Sequence, residues 1–241
     1  SEASRRKFVE AFPKLGGSVE VIEHGVFVMG EPLPPAHSGQ LLMFGTIRRN
    51  KGIMEAMTGV IAAHAAGVPV RLVVAGDSAG ATLAIVTAMA LRDQPAAAPV
   101  IAQWPIYPVT DTTREYPSYA QFADGYLLTR ESLAWFGQAY RAESASLRAS
   151  PLLGDMAEMP PALVLTAGLD PLRDQGRAYA AALAQAGVAV TYREARGNVH
   201  GFLNLRRAIP SSQGDLAGAL VALRQIITEA EAERVLAQAA G

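Results

Sequence analysis

A serine between two glycines is the first feature of the sequence whose residue types could do chemistry. Residues 76–80 read Gly-Asp-Ser-Ala-Gly, between the strand-like run VRLVVA and a helical run that begins at Ala79. Glycines this close together predict that strand and helix cross too tightly for side chains at Gly76 and Gly80. Such a G-x-S-x-G turn is a nucleophile elbow, in which strained backbone lifts the serine hydroxyl clear of the sheet. The pattern therefore predicts Ser78 as a nucleophile.

A serine hydroxyl also needs a general base, and the base needs a group that orients it. Asp170 follows the predicted strand at 162–166. His200 follows the predicted strand at 188–194. Both side chains are expected on the same edge of a parallel sheet as Ser78, because that edge carries the carboxyl ends of the strands. In this arrangement His200 accepts the serine proton and returns it to the leaving alcohol, while Asp170 fixes the imidazole tautomer.

Other interpretations of the acid and the base remain open. Asp170 before Pro171 also fits the start of a helix, with the aspartate as its cap, and this role is compatible with catalysis. Asp174 is a rival acid, although it would lie inside the predicted helix at 173–186. Three further histidines are present. His37 and His64 lie in stretches expected at the surface, and His24 has no assigned place.

The elements that must position these groups alternate between strands and helices. Apolar runs bounded by glycine or proline predict strands at 19–22, 41–45, 70–75, 100–104, 162–166 and 188–194. Helical patterns lie at 53–66, 79–92, 173–186 and 214–239. This alternation predicts an α/β fold with a mostly parallel sheet covered by helices on both faces. The aromatic-rich segment 112–153, with a helix predicted from Thr129 to Arg141, interrupts the alternation and is expected to form a cap.

Composition and charge exclude several classes of function. The chain has 241 residues, of which 50% are hydrophobic and 18% charged, and this predicts a single α/β domain over 1–241. A net charge of −1 gives no electrostatic reason to bind nucleic acid or an anionic membrane surface. No apolar run approaches the roughly 20 residues that span a membrane. The lack of cysteine excludes disulfides and thiolate metal sites, and we expect a cytoplasmic protein without a metal or cofactor.

Residues 77–209 resemble the hormone-sensitive-lipase-like group of α/β-hydrolases, the carboxylesterases also called family IV. The matching stretches are GDSAG, YPVTD, SYAQFADGYLLTRESLAWF, RASPLL, PPALVLTAGLDPLRDQG and HGF. The order Ser, Asp, His along the chain is the one expected in this fold. The resemblance implies an esterase that acts on short- or medium-chain acyl esters through Ser78, Asp170 and His200, without a cofactor. The residues expected to contact the substrate are Phe122, Tyr126, Leu127 and Phe202.

The atypical N-terminal portion, residues 1–76, does not follow this family. Its members carry an H-G-G-G loop whose backbone N–H groups complete the oxyanion hole, whereas this chain has only HGVF at 24–27. The predicted oxyanion donors are therefore the N–H groups of Ala79 and Gly25. Losing one such donor typically lowers the rate on the order of a hundred- to a thousandfold. Weak activity is expected unless the Gly25 region or the loop after Gly45 supplies a substitute.

Residues 20–76 instead resemble part of the nucleotide-sugar domain of group 1 GT-B glycosyltransferases. The resemblance lies in FGTIRRNKG and implies that Arg48 and Lys51 contact a diphosphate; a surface loop with ordinary basic residues is the alternative. Three hypotheses follow: a serine carboxylesterase, a nucleotide-sugar-binding remnant, and an inert chimeric scaffold. The expected partner is a small-molecule ester, and a homodimer is compatible with the sequence.

Overall fold

A parallel β-sheet lies at the centre of the protein. The structure is a computed structural model, and it describes residues 40–43, 61–63, 65–67, 70–96 and 98–239. Within these residues, five strands follow one another across the sheet in chain order, and every neighbouring pair is parallel. The strands are β1 (Gln40–Met43), β2 (Arg71–Asp77), β3 (Val100–Ile106), β4 (Ala162–Leu169) and β5 (Val190–Val199). The predicted parallel sheet is confirmed; the strand predicted at 19–22 lies outside the described residues.

Five helices with described bounds accompany these strands, and residues 61–63 and 65 are helical as well. The five helices are α1 (Ala79–Asp93), α2 (Pro117–Gln121), α3 (Arg130–Tyr140), α4 (Arg173–Gln185) and α5 (Ser211–Ala239), with a 3₁₀ turn at Pro151–Leu153. The helix predicted after Thr129 is confirmed as α3. Thr129 caps it, because its hydroxyl oxygen accepts the N–H of Ser132 at 3.1 Å. No helix among the described residues is both long and apolar enough to cross a membrane.

Helices cover both faces of the sheet, as alternate side chains of β4 demonstrate. Leu163, Leu165 and Ala167 pack into one core, which they share with α5. Ala162 and Val164 point the other way, into a core shared with α1 and α4. The main helix side chains of the two cores are Leu216, Leu223 and Ile226 from α5, and Ile85, Met89, Tyr179 and Leu183 from α1 and α4. The two-sided covering predicted from the sequence is therefore confirmed.

Four of the strands, β2 to β5, extend further towards their carboxyl ends than their apolar runs predict. In β5 the predicted strand stops at Glu194, whereas the ladder continues until Val199 pairs with Leu169 of β4. The intervening residues are largely polar, so their pattern lacks the hydrophobic signal of a strand. Backbone hydrogen bonding to β4 sustains the strand without that signal. As a result, His200 is the first residue after the strand.

The segment 112–153 contains α2, α3 and the 3₁₀ turn, and Ser118 in α2 anchors it. The Ser118 side chain is fully buried, and its hydroxyl donates to the carbonyl oxygen of Pro171 at 2.8 Å. The Ser118 N–H donates to the Asp174 carboxylate at 2.9 Å, and the Asp174 N–H donates back to the Ser118 hydroxyl at 3.2 Å. The segment is thereby attached to the start of α4. Its role as a cap and the domain boundaries predicted above stay predictions.

Candidate active site

The G-D-S-A-G turn joins the end of β2 directly to the start of α1. Ser78 has φ 55° and ψ −123°, a conformation that costs energy for a residue with a side chain. A methyl group added to Gly76 would overlap the backbone carbonyl of Gly80, so the strand and the helix cross as closely as the sequence predicts. The Ser78 N–H donates to the carbonyl oxygen of Ile106 in β3 at 2.9 Å, which secures the turn to the neighbouring strand.

Gly76→Ala is expected to destabilise the protein severely, because the added methyl group meets backbone rather than a movable side chain. We expect a loss of at least about 3 kcal/mol in the free energy of unfolding, the upper end of the usual range for overpacking. Thermal and urea unfolding measure it. Gly137→Ala in α3 is the matched control: its methyl group enters open space, and stability should rise slightly. Equal stabilities of the two variants would contradict the close crossing.

The side chains of Ser78, His200 and Asp170 form a continuous chain of hydrogen bonds. Nε2 of His200 lies 2.8 Å from the Ser78 hydroxyl oxygen, and Nδ1 of His200 lies 2.7 Å from Oδ2 of Asp170. Asp170 is fully buried, and His200 is 8% exposed. With Nδ1–H donating to the carboxylate, Nε2 is free to accept the serine proton. The structure thus brings together the three residues that the sequence predicts as nucleophile, base and acid.

Asp170 is oriented by backbone on both sides of it. Its second carboxylate oxygen, Oδ1, accepts the N–H of Leu172 at 2.8 Å. Upstream, a methyl group at Gly168 would overlap the backbone of Arg196, so β4 and β5 approach each other closely just before the acid. The helix α4 begins at Arg173 with Leu172 as its cap residue, so the predicted cap role of Asp170 and first-turn position of Pro171 are wrong. A turn between the strand and the helix separates Asp170 from α4.

The rival acid, Asp174, lies in the first turn of α4 and is occupied by other partners. Its carboxylate accepts hydrogen bonds from Arg173 at 2.8 Å and from Arg177 at 3.0 Å, besides the bond from Ser118. Burial raises the pKa of Asp174, but the hydrogen bonds from Arg173 and the Ser118 N–H outweigh it, so the pKa lies below its ordinary value. The interactions of Asp174 are therefore those of an anchor for α2.

The remaining predicted site residues fall into three groups. The N–H of Ala79 stands at the start of α1, and no acceptor for it is found among the described residues. Phe122 is buried and makes an edge-to-face contact with Tyr126 at 5.0 Å, whereas Leu127 is 64% exposed. Phe202 is fully buried, so it contributes to the site through packing. Outside the described residues lie the other three: Gly25, Arg48 and Lys51.

Tyr107, the first residue after β3, belongs to the site but was not predicted from the sequence. Its ring lies 4.6 Å from the ring of His200, centre to centre. Tyr107 follows a strand at the same edge of the sheet as Ser78, and it precedes a proline. That position at a strand end was the available signal, but an aromatic residue next to an apolar run is ordinarily assigned to the core.

Comparison with known proteins identifies the family. A sequence profile described as alpha/beta hydrolase fold matches residues 42–204, so the chain belongs to this family and the α/β-hydrolase resemblance is confirmed. Two curated relatives are each 43% identical to this chain. Carboxylic ester hydrolase LipN of Mycobacterium tuberculosis aligns over 57% of this chain and 39% of its own length. Ethyl acetate hydrolase of Pseudomonas putida aligns over 64% of this chain and 50% of its own length.

Solved structures agree with this assignment. The thermophilic carboxylesterase EstE1, from a metagenomic library, is 34% identical, with a TM-score of 0.64 over 71% of this chain and 61% of its own. A thermostable esterase from Pseudomonas putida ECU1011 is 36% identical, with a TM-score of 0.60 over 74% of this chain and 57% of its own. The chain spans about half the length, or less, of the two curated relatives named above.

Proposed function

We propose that the chain is a serine carboxylesterase that hydrolyses short- to medium-chain acyl esters. The observation that carries the proposal is the hydrogen-bonded chain from the Ser78 hydroxyl through His200 to Asp170, at 2.8 and 2.7 Å. The names of two relatives, a carboxylic ester hydrolase and an ethyl acetate hydrolase, support the same reaction class. The triad, the substrate range and the activity of the whole protein all belong to this proposal.

In the proposed mechanism, the Ser78 hydroxyl attacks the ester carbonyl carbon while Nε2 of His200 accepts its proton. The buried Asp170 carboxylate stabilises the imidazolium that forms and holds its ring in place. His200 then gives the proton to the alcohol, which leaves, and an acyl group remains on Ser78. Water enters, His200 removes its proton, and the hydroxide attacks the acyl-enzyme. His200 then returns the proton to the Ser78 oxygen as the carboxylic acid leaves, which restores the serine.

The oxyanion formed in each step needs hydrogen-bond donors. The Ala79 N–H is the proposed first donor, because it follows the nucleophile at the start of α1, where backbone N–H groups lack intrahelical acceptors. Gly25 is the proposed second donor. With only one donor the rate would be lower by roughly a hundred- to a thousandfold, so we expect a slow enzyme if Gly25 does not reach the site.

The proposed acyl-binding surface comes from the segment after α2. The Phe122 and Tyr126 rings contact each other at a right angle, and Leu127 adjoins them with its side chain largely in solvent. Leu127 has φ 72°, an uncommon conformation for a residue with a branched side chain. The small apolar surface formed by Phe122, Tyr126 and Leu127 suits a short acyl chain. Phe202 is also proposed to contact substrate, although its burial favours an indirect contribution through packing.

The direct test is hydrolysis of p-nitrophenyl butyrate together with labelling by a fluorophosphonate. We expect saturable hydrolysis and stoichiometric labelling on the peptide that contains Ser78, because only an activated serine reacts with such a probe. Butyrate should slow the labelling by competition. Mass spectrometry of the digested protein locates the label. A protein that neither hydrolyses the ester nor reacts with the probe would instead fit the inert chimeric scaffold.

The nucleotide-sugar hypothesis stays an untested prediction. It depends on Arg48 and Lys51, which lie outside the described residues but within the range 42–204 that matches the hydrolase family. That match favours reading their segment as part of the hydrolase fold. Calorimetric titration with UDP- and GDP-sugars discriminates between the two, since binding that Lys51→Ala abolishes would support the glycosyltransferase resemblance. The homodimer likewise stays a prediction.

A further inference from the structure

The carboxylate of Asp77 joins the nucleophile turn to the loop that carries the base. Asp77 is the last residue of β2 and immediately precedes Ser78. Its Oδ2 accepts a hydrogen bond from the Tyr107 hydroxyl at 3.3 Å and another from Nδ2 of Asn204 at 3.2 Å. Tyr107 follows β3, and Asn204 lies four residues after His200. One carboxylate therefore contacts side chains from the two segments that flank the site.

Tyr107 is held in this place by several independent interactions. Its backbone has φ 37°, and its N–H donates to the carbonyl oxygen of Leu165 at 2.6 Å. The side chain is 1% exposed, and its ring contacts the rings of His200 at 4.6 Å and Phe202 at 5.6 Å. An uncommon backbone conformation kept at a residue with a large side chain is a feature of functional sites. The ring thus forms a fixed wall behind the imidazole.

The Tyr107 hydroxyl is a permanent donor. Burial, followed by the negative charge of Asp77, raises the pKa of Tyr107 well above its ordinary value. The backbone of Leu203 lowers this pKa by a smaller amount. The hydroxyl therefore donates to the elbow through Asp77. A bond to an ionised acceptor is stronger than one between neutral groups.

We propose that Asp77, Tyr107 and Asn204 act as a clamp that holds the His200 loop against the nucleophile elbow, and that Tyr107 is a positioning residue for catalysis. This proposal rests on the proposed esterase function. The Tyr107 and Asn204 side chains both donate to the Asp77 carboxylate, and in the structure Ser78 bonds to His200 and His200 to Asp170. The clamp acts by keeping the distance between Nε2 of His200 and the serine hydroxyl short. Small displacements of reacting groups lower rates steeply.

Tyr107→Phe separates the clamp from simple packing, because it keeps the ring against His200 and removes only the hydroxyl. We expect kcat to fall about tenfold while KM stays within about twofold, the pattern of a lost positioning interaction. Fluorophosphonate labelling of Ser78 should slow by the same factor as kcat. Asp77→Ala removes the same hydrogen bond. The kcat of the double variant, with both Tyr107→Phe and Asp77→Ala, should therefore be little lower than that of the more affected single variant.

The matched control is Tyr179→Phe, which removes another buried tyrosine hydroxyl. Tyr179 lies in α4 and donates to the side-chain oxygen of Gln103 at 2.7 Å. Its variant should have a lower Tm and an unchanged kcat, since its bond lies in the core that α1 and α4 share. The clamp is refuted if Tyr107→Phe lowers the Tm but leaves kcat unchanged. It is also refuted if the losses of kcat in Tyr107→Phe and Asp77→Ala add up in the double variant.

The labelling experiment also separates this proposal from the esterase proposal. A wild-type protein that does not react with the fluorophosphonate contradicts both. A wild-type protein that reacts, with Tyr107→Phe reacting at the same rate, contradicts the clamp alone. Should Tyr107→Phe fail to fold, Asn204→Ala replaces it, because Asn204 is exposed and tolerates truncation. We expect a reduction of about threefold in kcat for Asn204→Ala, and an unchanged kcat would refute the clamp.

Discussion

Ser78→Ala is expected to abolish ester hydrolysis. Removing the nucleophile of a serine hydrolase can cost on the order of a millionfold in kcat, so the residual rate should approach that of the remaining binding site alone. The 2.8 Å bond to Nε2 of His200 makes Ser78 the group that this base would activate. The measurement is kcat for p-nitrophenyl butyrate, with the Tm as a check on folding.

The size of this loss also reports on the oxyanion hole. An enzyme that lacks one donor starts from a kcat roughly a hundred- to a thousandfold lower, so the ratio of the wild-type kcat to the Ser78→Ala kcat shrinks by at most the same factor. A loss of only about a thousandfold would therefore indicate that no second donor reaches the site. Ser144→Ala is the control, because Ser144 is exposed and far along the chain from the elbow. Unchanged turnover in Ser78→Ala would refute the esterase mechanism proposed here.

Asp170→Asn is expected to lower kcat by about ten-thousandfold, as the corresponding change does in other triads. The asparagine has nearly the same shape, so folding should survive. Its amide, however, can present an N–H to Nδ1 of His200, which favours the tautomer whose proton sits on Nε2 and blocks acceptance of the serine proton. The Leu172 N–H, which donates to Oδ1 at 2.8 Å, favours oxygen at that position and therefore nitrogen towards His200.

Asp174→Asn tests the rival assignment beside it. Asp174 anchors α2 and lies in the first turn of α4, so its variant should lose stability but keep its kcat within about tenfold. Steady-state kinetics and thermal unfolding of both variants distinguish the two acids. A greater loss of kcat in Asp174→Asn than in Asp170→Asn would mean that the acid has been assigned to the wrong residue.

Local patterns predicted much of this site because the site depends on local geometry. Gly76 and Gly80 carry the signal of the tight crossing in their own spacing, and the overlap that a methyl group at Gly76 would cause is the physical basis of that signal. Asp170 and His200 were found because each follows a strand of a parallel sheet. The start of α4 at Arg173 agrees with the helix predicted at 173–186, whereas the Asp170-Pro171 pair resembles a helix cap and here belongs to a turn.

The contacts that local patterns missed join residues far apart in the chain. Nothing near Tyr107 indicates that its ring packs against His200 or that its hydroxyl bonds to Asp77. The anchoring of Ser118 to Asp174 is of the same kind, and so is the continuation of β5 through polar residues. Each depends on which strands become neighbours, and periodicity within one segment does not contain that information.

The amino-acid sequence alone determined the type of fold, the nucleophile turn and the identities of the acid and base candidates, because glycine spacing and apolar periodicity act over a few residues. Only the tertiary structure decided the distances among Ser78, His200 and Asp170 and the network around Asp77, because these are set by the pairing of parallel strands. Such pairing brings together groups that are more than a hundred positions apart, as with Ser78 and His200, which are separated by 122 residues.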